Sequence, residues 1–145
     1  MAAIRARYAA KGVRLTLDAD PETPTVNADA GRLSEALGNL LDNALRHTPP
    51  GGTVTLTTRR GSRFGHPIAE LRIADTGDGF DPKEAGRLFE RFYRADAART
   101  RGTAGSGIGL TITKAIVNAH GGTLRARSDG PGHGSTFQIT LPAAT

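Results

Sequence analysis

Leu33, Ala36, Leu37, Leu40, Leu41, Ala44 and Leu45 recur at helical spacing and form one apolar stripe. That periodicity predicts an amphipathic helix, capped at its start by Asp29 and ended by Pro49-Pro50-Gly51-Gly52. Around it the period changes to two. Residues 13–17 and 53–58 alternate and read as strands, and the apolar run 68–74 reads as another. Pro21 and Pro24 mark a loop, 25–27 reads as a short strand, and 61–67 as a turn. Asp81-Pro82 opens a short helix, with Leu88, Phe89 and Phe92 as its apolar residues. From Arg94 to about Gly107 the apolar pattern stops, over a length of ~12–15 residues that loops seldom reach without a function. A second clear helix is predicted over 107–119, with Ile108, Ile112, Ala115 and Ile116 on one side and Gly121-Gly122 at its end. Residues 123–127 and 136–141 read as the last strands, joined by a Gly/Pro turn.

This order, with strand pairs joined by short turns, fits an α+β two-layer sandwich better than a doubly wound sheet. At 145 residues the chain is expected to be one domain over 13–145, with residues 1–12 the tail of a preceding helix or a linker. With no cysteines it has neither disulfides nor thiolate metal sites, which fits a reducing compartment. No secretory signal or membrane-length apolar run is visible. The formal net charge is +5, and 16 of the 19 basic residues are Arg, which suggests nucleic acid. Yet 83–101 holds six basic and three acidic residues, so +3 of the +5 sits in one segment. A compact phosphate-bearing ligand accounts for that equally well.

Four groups of residues could carry chemistry. Asp75-Thr-Gly-Asp-Gly79 puts a carboxylate at a strand end, before glycines that permit close approach to something flat. A carboxylate only accepts hydrogen bonds, so its ligand should offer a donor such as an amino group. Asn39 and Asn43 lie four apart on one helix side, followed by Arg46 and His47. Two amides so placed either hold a hard cation such as Mg²⁺, with phosphates and waters completing the shell, or belong to a solvated face. Gly105-Ser-Gly-Ile-Gly-Leu110 opens a helix after a loop, where bare N–H groups make an anion site. Its spacing is not the dinucleotide fingerprint, and no P-loop motif is present. Gly132-His-Gly-Ser-Thr-Phe137 reads as a Gly-rich hairpin in which Thr136 could bring a hydroxyl to Asp75.

Taken in order, the segments 39–47, 75–79, Phe89-Glu-Arg-Phe92, 105–110 and 132–137 resemble the N, G1, F, G2 and G3 boxes of the catalytic ATP-binding domain of sensor histidine kinases. The resemblance covers about residues 13–142. It implies the Bergerat (GHKL) fold: a mixed, mostly antiparallel sheet with about three helices on one face, and ATP beneath a mobile lid. It implies that Asp75 accepts from the adenine amino group, that Gly77 and Gly79 let the backbone reach the ring, and that Thr136 assists. Asn43 would be the Mg²⁺ ligand, with Asn39, Arg46 and His47 beside the nucleotide. Gly105, Ser106, Gly107, Ile108, Gly109 and Leu110 would line the triphosphate, and Arg94 and Arg99 would reach it from the lid. Residues 1–12 would then be the tail of a dimerisation-domain helix. The partners implied are the dimerisation/histidine phosphotransfer domain and, through it, a response regulator. Nucleic acid is not expected. The domain would be a monomer on the cytoplasmic side of a membrane-anchored sensor.

Related ATPases of this superfamily carry a general-base Glu four residues before the metal-binding Asn. Here that position is Asn39, whose amide has no useful basicity. The site therefore looks built to hold ATP for transfer rather than for rapid hydrolysis. None of His47, His66, His120 and His133 has the context of a phosphoacceptor. The rival readings are an anti-sigma-factor-type serine kinase, a hydrolytic ATPase of the same fold and a basic nucleic-acid-binding module.

Overall fold

The computed structural model describes residues 2–89 and 108–144. Five strands form one sheet, in the order β1-β2-β3-β5-β4: β1 Arg14–Ala19, β2 Thr53–Arg63, β3 His66–Asp75, β4 Thr123–Arg127 and β5 Ser135–Pro142. β1 pairs parallel to β2, and the other neighbours are antiparallel. The α-helices described are α1 Ala2–Lys11, α2 Ala30–His47 and α3 Ile108–Ala119, with a 3₁₀ turn at Pro82–Arg87. Strand parity sets the layers. Val54, Ile73, Phe137, Ile139, Leu141 and Leu124 point to one side, where they join Leu40, Leu41, Ala44 and Leu45 of α2 and Val117 of α3 in a single core. Thr55, Thr57, Arg72, Gln138 and Thr140 alternate onto the other face and stay partly exposed.

α2 follows its predicted pattern. The Asp29 side chain accepts from Arg32 N at 3.1 Å as the cap, and Ala36, Leu40, Leu41, Ala44 and Leu45 are buried. Burying each leucine stabilises by about 1.5–3 kcal/mol. At the far end Thr48 N–H donates to Leu45 O, and Thr48 Oγ1 donates to Ala44 O at 2.7 Å.

Elsewhere the structure departs from the expectations. The turn read over 61–67 is narrower than expected. The β2–β3 ladder continues to Arg63↔His66 and turns through Phe64 and Gly65 alone, both at positive φ, as tight two-residue hairpins require. Residues 25–27 make no strand; Thr25 O accepts from Ala144 N as a single contact rather than a ladder. On α3 the packed face is turned from the predicted one. Thr113, Ile116 and Val117 are buried and Leu110 packs on the core, while Ile112 is 37% exposed. The first helix packs on this core as well: Tyr8 of α1 is 1% exposed and belongs to it.

Candidate functional site

β3 delivers Asp75 to the edge of the core, on the same sheet side as Ile73 and opposite Val54 and Ser135. Asp75 is 8% exposed. Its Oδ1 accepts from Gly77 N at 2.9 Å and Ser135 N at 3.2 Å, and its Oδ2 accepts from Ser135 Oγ at 2.7 Å. A carboxylate offers about four acceptor positions, so with respect to the described residues one remains, on Oδ2. Burial pushes the Asp75 carboxyl above the usual range, against the pull of the Ser135 hydroxyl and the two N–H groups. Thr136 does not meet Asp75. Strand alternation puts Ser135 on the side of Phe137 and Ile139, and Thr136 on the opposite face beside Ala74 and Arg127. Counting back by twos from Phe137 would have found Ser135.

At Gly77 and Gly79 the surrounding backbone itself requires glycine. A Cβ on Gly77 would lie 2.1 Å from His47 O and 3.0 Å from Thr48 Cα. On Gly79, at φ +63, it would lie 2.4 Å from Gly130 O. Neighbouring backbone presses on both positions, so neither can carry a side chain as the loop stands. The loop 75–80 is clasped by 128–134: Gly132 N donates to Asp78 O at 2.6 Å and Gly134 N to Gly77 O at 3.1 Å. Buried Ser128 completes the clasp, accepting from Phe80 N at 3.1 Å while its hydroxyl lies 2.7 Å from Gly134 O. Nothing in the motif spacing pointed to Ser128.

α2 runs from this loop toward α3. His47 O accepts from Asp78 N at 2.9 Å, and His47 Nδ1 lies 3.4 Å from Asp78 Oδ2. At the other side, Asn39 Nδ2 donates to Gly109 O in the first turn of α3, at 3.4 Å. Asn43 sits between them, half-buried, with Arg46 exposed. Asn39 and His47 are about eight helical steps apart, a rise of about 12 Å. Asp75, His47, Asn43, Asn39 and Gly109 are thus spaced along one side of the fold. Leu110 turns its side chain to the core. Arg94, Arg99, Gly105, Ser106 and Gly107 lie outside the described residues, as do Phe92 and the predicted lid; Ile108 is described by its backbone alone.

Burial lowers the His47 pKa below its ordinary value, opposed by the hydrogen bond and charge of Asp78. Folding therefore favours the neutral imidazole. Its contribution to stability is complete above the unfolded value of about 6.5 and is lost as pH falls below it toward the lower folded value. Wild-type protein should lose more melting temperature between about pH 7.5 and 5.5 than His47→Gln does. Equal slopes for the two proteins would contradict this.

Among the described residues no group of three or more His, Cys, Asp or Glu could hold a metal. A divalent cation here would depend on the Asn43 amide oxygen plus oxygens brought by a ligand and water. That donor set suits Mg²⁺, which keeps waters and leans on substrate phosphates.

Residues 28–145 match the family described as histidine kinase-, DNA gyrase B- and HSP90-like ATPase. The sensor-like histidine kinase SenX3 of Mycobacterium tuberculosis is 44% identical over 123 residues, covering 85% of this chain and 29% of SenX3. The chain thus spans less than a third of that relative's length. The structure of the mycobacterial sensor histidine kinase MprB matches with a TM-score of 0.84 at 36% identity, over 97% of this chain and 89% of that one. Full-length ShkA, in complex with AMPPNP, matches with a TM-score of 0.80 at 30% identity, over 99% of this chain and 28% of that one.

Proposed function

The chain belongs to the histidine kinase-, DNA gyrase B- and HSP90-like ATPases, as an ATP-binding catalytic domain of the sensor histidine kinase kind, and from that premise we propose that it binds Mg-ATP and donates the γ-phosphate to a histidine on a separate dimerisation domain. The observation that carries this reading is Asp75: a buried carboxylate whose last acceptor position suits the adenine amino group. Asn43 is proposed as the Mg²⁺ ligand, with Asn39 and Arg46 on the phosphate side, His47 beside the nucleotide, and Gly109 and Leu110 at the helix start. Arg94, Arg99 and residues 105–107 are proposed to complete the phosphate site. Bound Mg²⁺ would neutralise phosphate charge, and the protein's contribution would be positioning.

Transfer forms an N–P bond on the partner imidazole and breaks the bond to the ADP leaving group. With an amide at Asn39 the chain carries no base there to activate water, so hydrolysis by this chain alone should be slow. The unit would comprise residues 13–145 with α1 packed on it, following a dimerisation domain in a membrane-anchored parent and signalling to a response regulator from the cytoplasmic side. Among the described residues no helix is long and apolar enough to cross a membrane. Asn43→Ala should weaken ATP binding by about 10-fold in Mg²⁺ and far less in EDTA, measured by calorimetry. An equal loss in both buffers would remove Asn43 from the metal site.

A further inference from the structure

α1 grips the last turns of α2 from outside. The Tyr8 hydroxyl donates to Leu41 O at 2.7 Å. Lys11 Nζ donates to Leu45 O at 2.7 Å and reaches Arg46 O at 3.3 Å. Arg7 pairs with Asp42. Just beyond the helix, Gly12 O accepts from Gly51 N at 2.8 Å, which ties α1 to the loop leaving α2. The carbonyls at the end of an α-helix lack partners within it and carry its negative dipole end. Thr48 N reaches Leu45 O at 3.3 Å, so among the described residues the Lys11 ammonium makes the shorter contact to that carbonyl and joins Thr48 in capping α2.

That turn holds Arg46 and His47, and His47 O is the acceptor that anchors Asp78 N in the Asp75 loop. We infer that Lys11 and Tyr8 are positioning residues for the nucleotide site: they fix the last turn of α2, and through it the Asp75 loop, from a helix that contributes no group to the site itself. The inference rests on the ATP-binding reading and adds to it a mechanical input at the start of the chain. Any rotation of α1 relative to α2 would loosen the capped turn and lower nucleotide affinity.

The test compares wild type, Lys11→Met, Lys11→Arg and Arg5→Met by ATP calorimetry well below their melting temperatures, together with hydrogen exchange. Arg5 is exposed on the same helix and, among the described residues, has no hydrogen bond or ion pair to α2, so its variant removes equal charge while leaving those contacts in place. Lys11→Met should bind ATP ~5- to 10-fold more weakly, since small displacements of positioning groups cost that much or more. It should also exchange faster at the amides of 45–48, with Lys11→Arg restoring both and Arg5→Met changing neither. Tyr8→Phe, which keeps the packed ring, should speed exchange around 41–45. If wild type fails to bind ATP, the functional reading itself falls. If wild type binds and Lys11→Met binds equally well, or Arg5→Met loses as much, the positioning role is overturned while the functional reading stands. A lower melting temperature for Lys11→Met with unchanged affinity would leave Lys11 a purely structural cap, and that too overturns the inference.

Discussion

Asp75→Asn is expected to lose ATP affinity by roughly 10- to 100-fold while remaining folded. The open position on Oδ2 is an acceptor, and the asparagine amide would set N–H groups against an adenine amino group. Losing a hydrogen bond to a charged group costs ~1.5–3 kcal/mol, which sets the range. The fold should survive because the amide can still serve the neighbours seen here. Its oxygen can accept from Gly77 N and Ser135 N as Oδ1 does, and its NH₂ can donate to a reoriented Ser135 hydroxyl. Burial of the charged carboxylate is itself unfavourable, as the upward pKa shift indicates, so the variant should melt no lower than wild type. Calorimetry and a melting curve on the same sample separate the two effects. Unchanged affinity in a folded Asp75→Asn protein would remove Asp75 from the adenine site.

The second large effect concerns folding. Gly77→Ala should destabilise by about 3 kcal/mol or more, enough to lower the melting temperature by roughly 10 °C in a domain of this size. The added Cβ would stand 2.1 Å from a backbone oxygen, where no flexible side chain can yield. His47 O is also held by Asp78 N, so relief would break the contact that joins α2 to the Asp75 loop. Gly38→Ala is the natural comparison: it lies within α2 with nothing within 4 Å of its added Cβ. Exchanging that helical glycine for alanine should stabilise by about 1 kcal/mol. A Gly77→Ala protein melting within a few degrees of wild type would show that the two loops are not pressed together as described.

Much of this was readable from the sequence where one periodicity spoke alone. The α2 stripe from Leu33 to Leu45, the Asp29 cap and the amide pair Asn39/Asn43 all stand where the helical repeat put them. Errors arose where two local signals competed. At 61–67, Gly, Ser and Pro suggested a turn spanning the whole stretch, but cross-strand pairing carried the ladder to Arg63 and His66 and left only Phe64 and Gly65 to turn. On α3, apolar residues occur all around the helix, so hydrophobicity could not tell the packed face with Val117 from the exposed one with Ile112. Thr136 and Ser135 both carry a hydroxyl, and only the register Asp75↔Ser135 separates them. The clasp of 75–80 by 128–134 and the reach of Lys11 to Leu45 O join segments far apart in sequence, which no local pattern encodes.

On the proposed function, this chain holds ATP for transfer to a histidine that another domain supplies. The direct measurement is incubation with γ-labelled Mg-ATP, with and without the histidine-bearing dimerisation segment of the parent sensor. Acid-labile, base-stable phosphohistidine is expected on the dimerisation segment, with little release of inorganic phosphate by this chain alone and loss of the label with Asp75→Asn. Label on a serine, or rapid phosphate release without the segment, would contradict it.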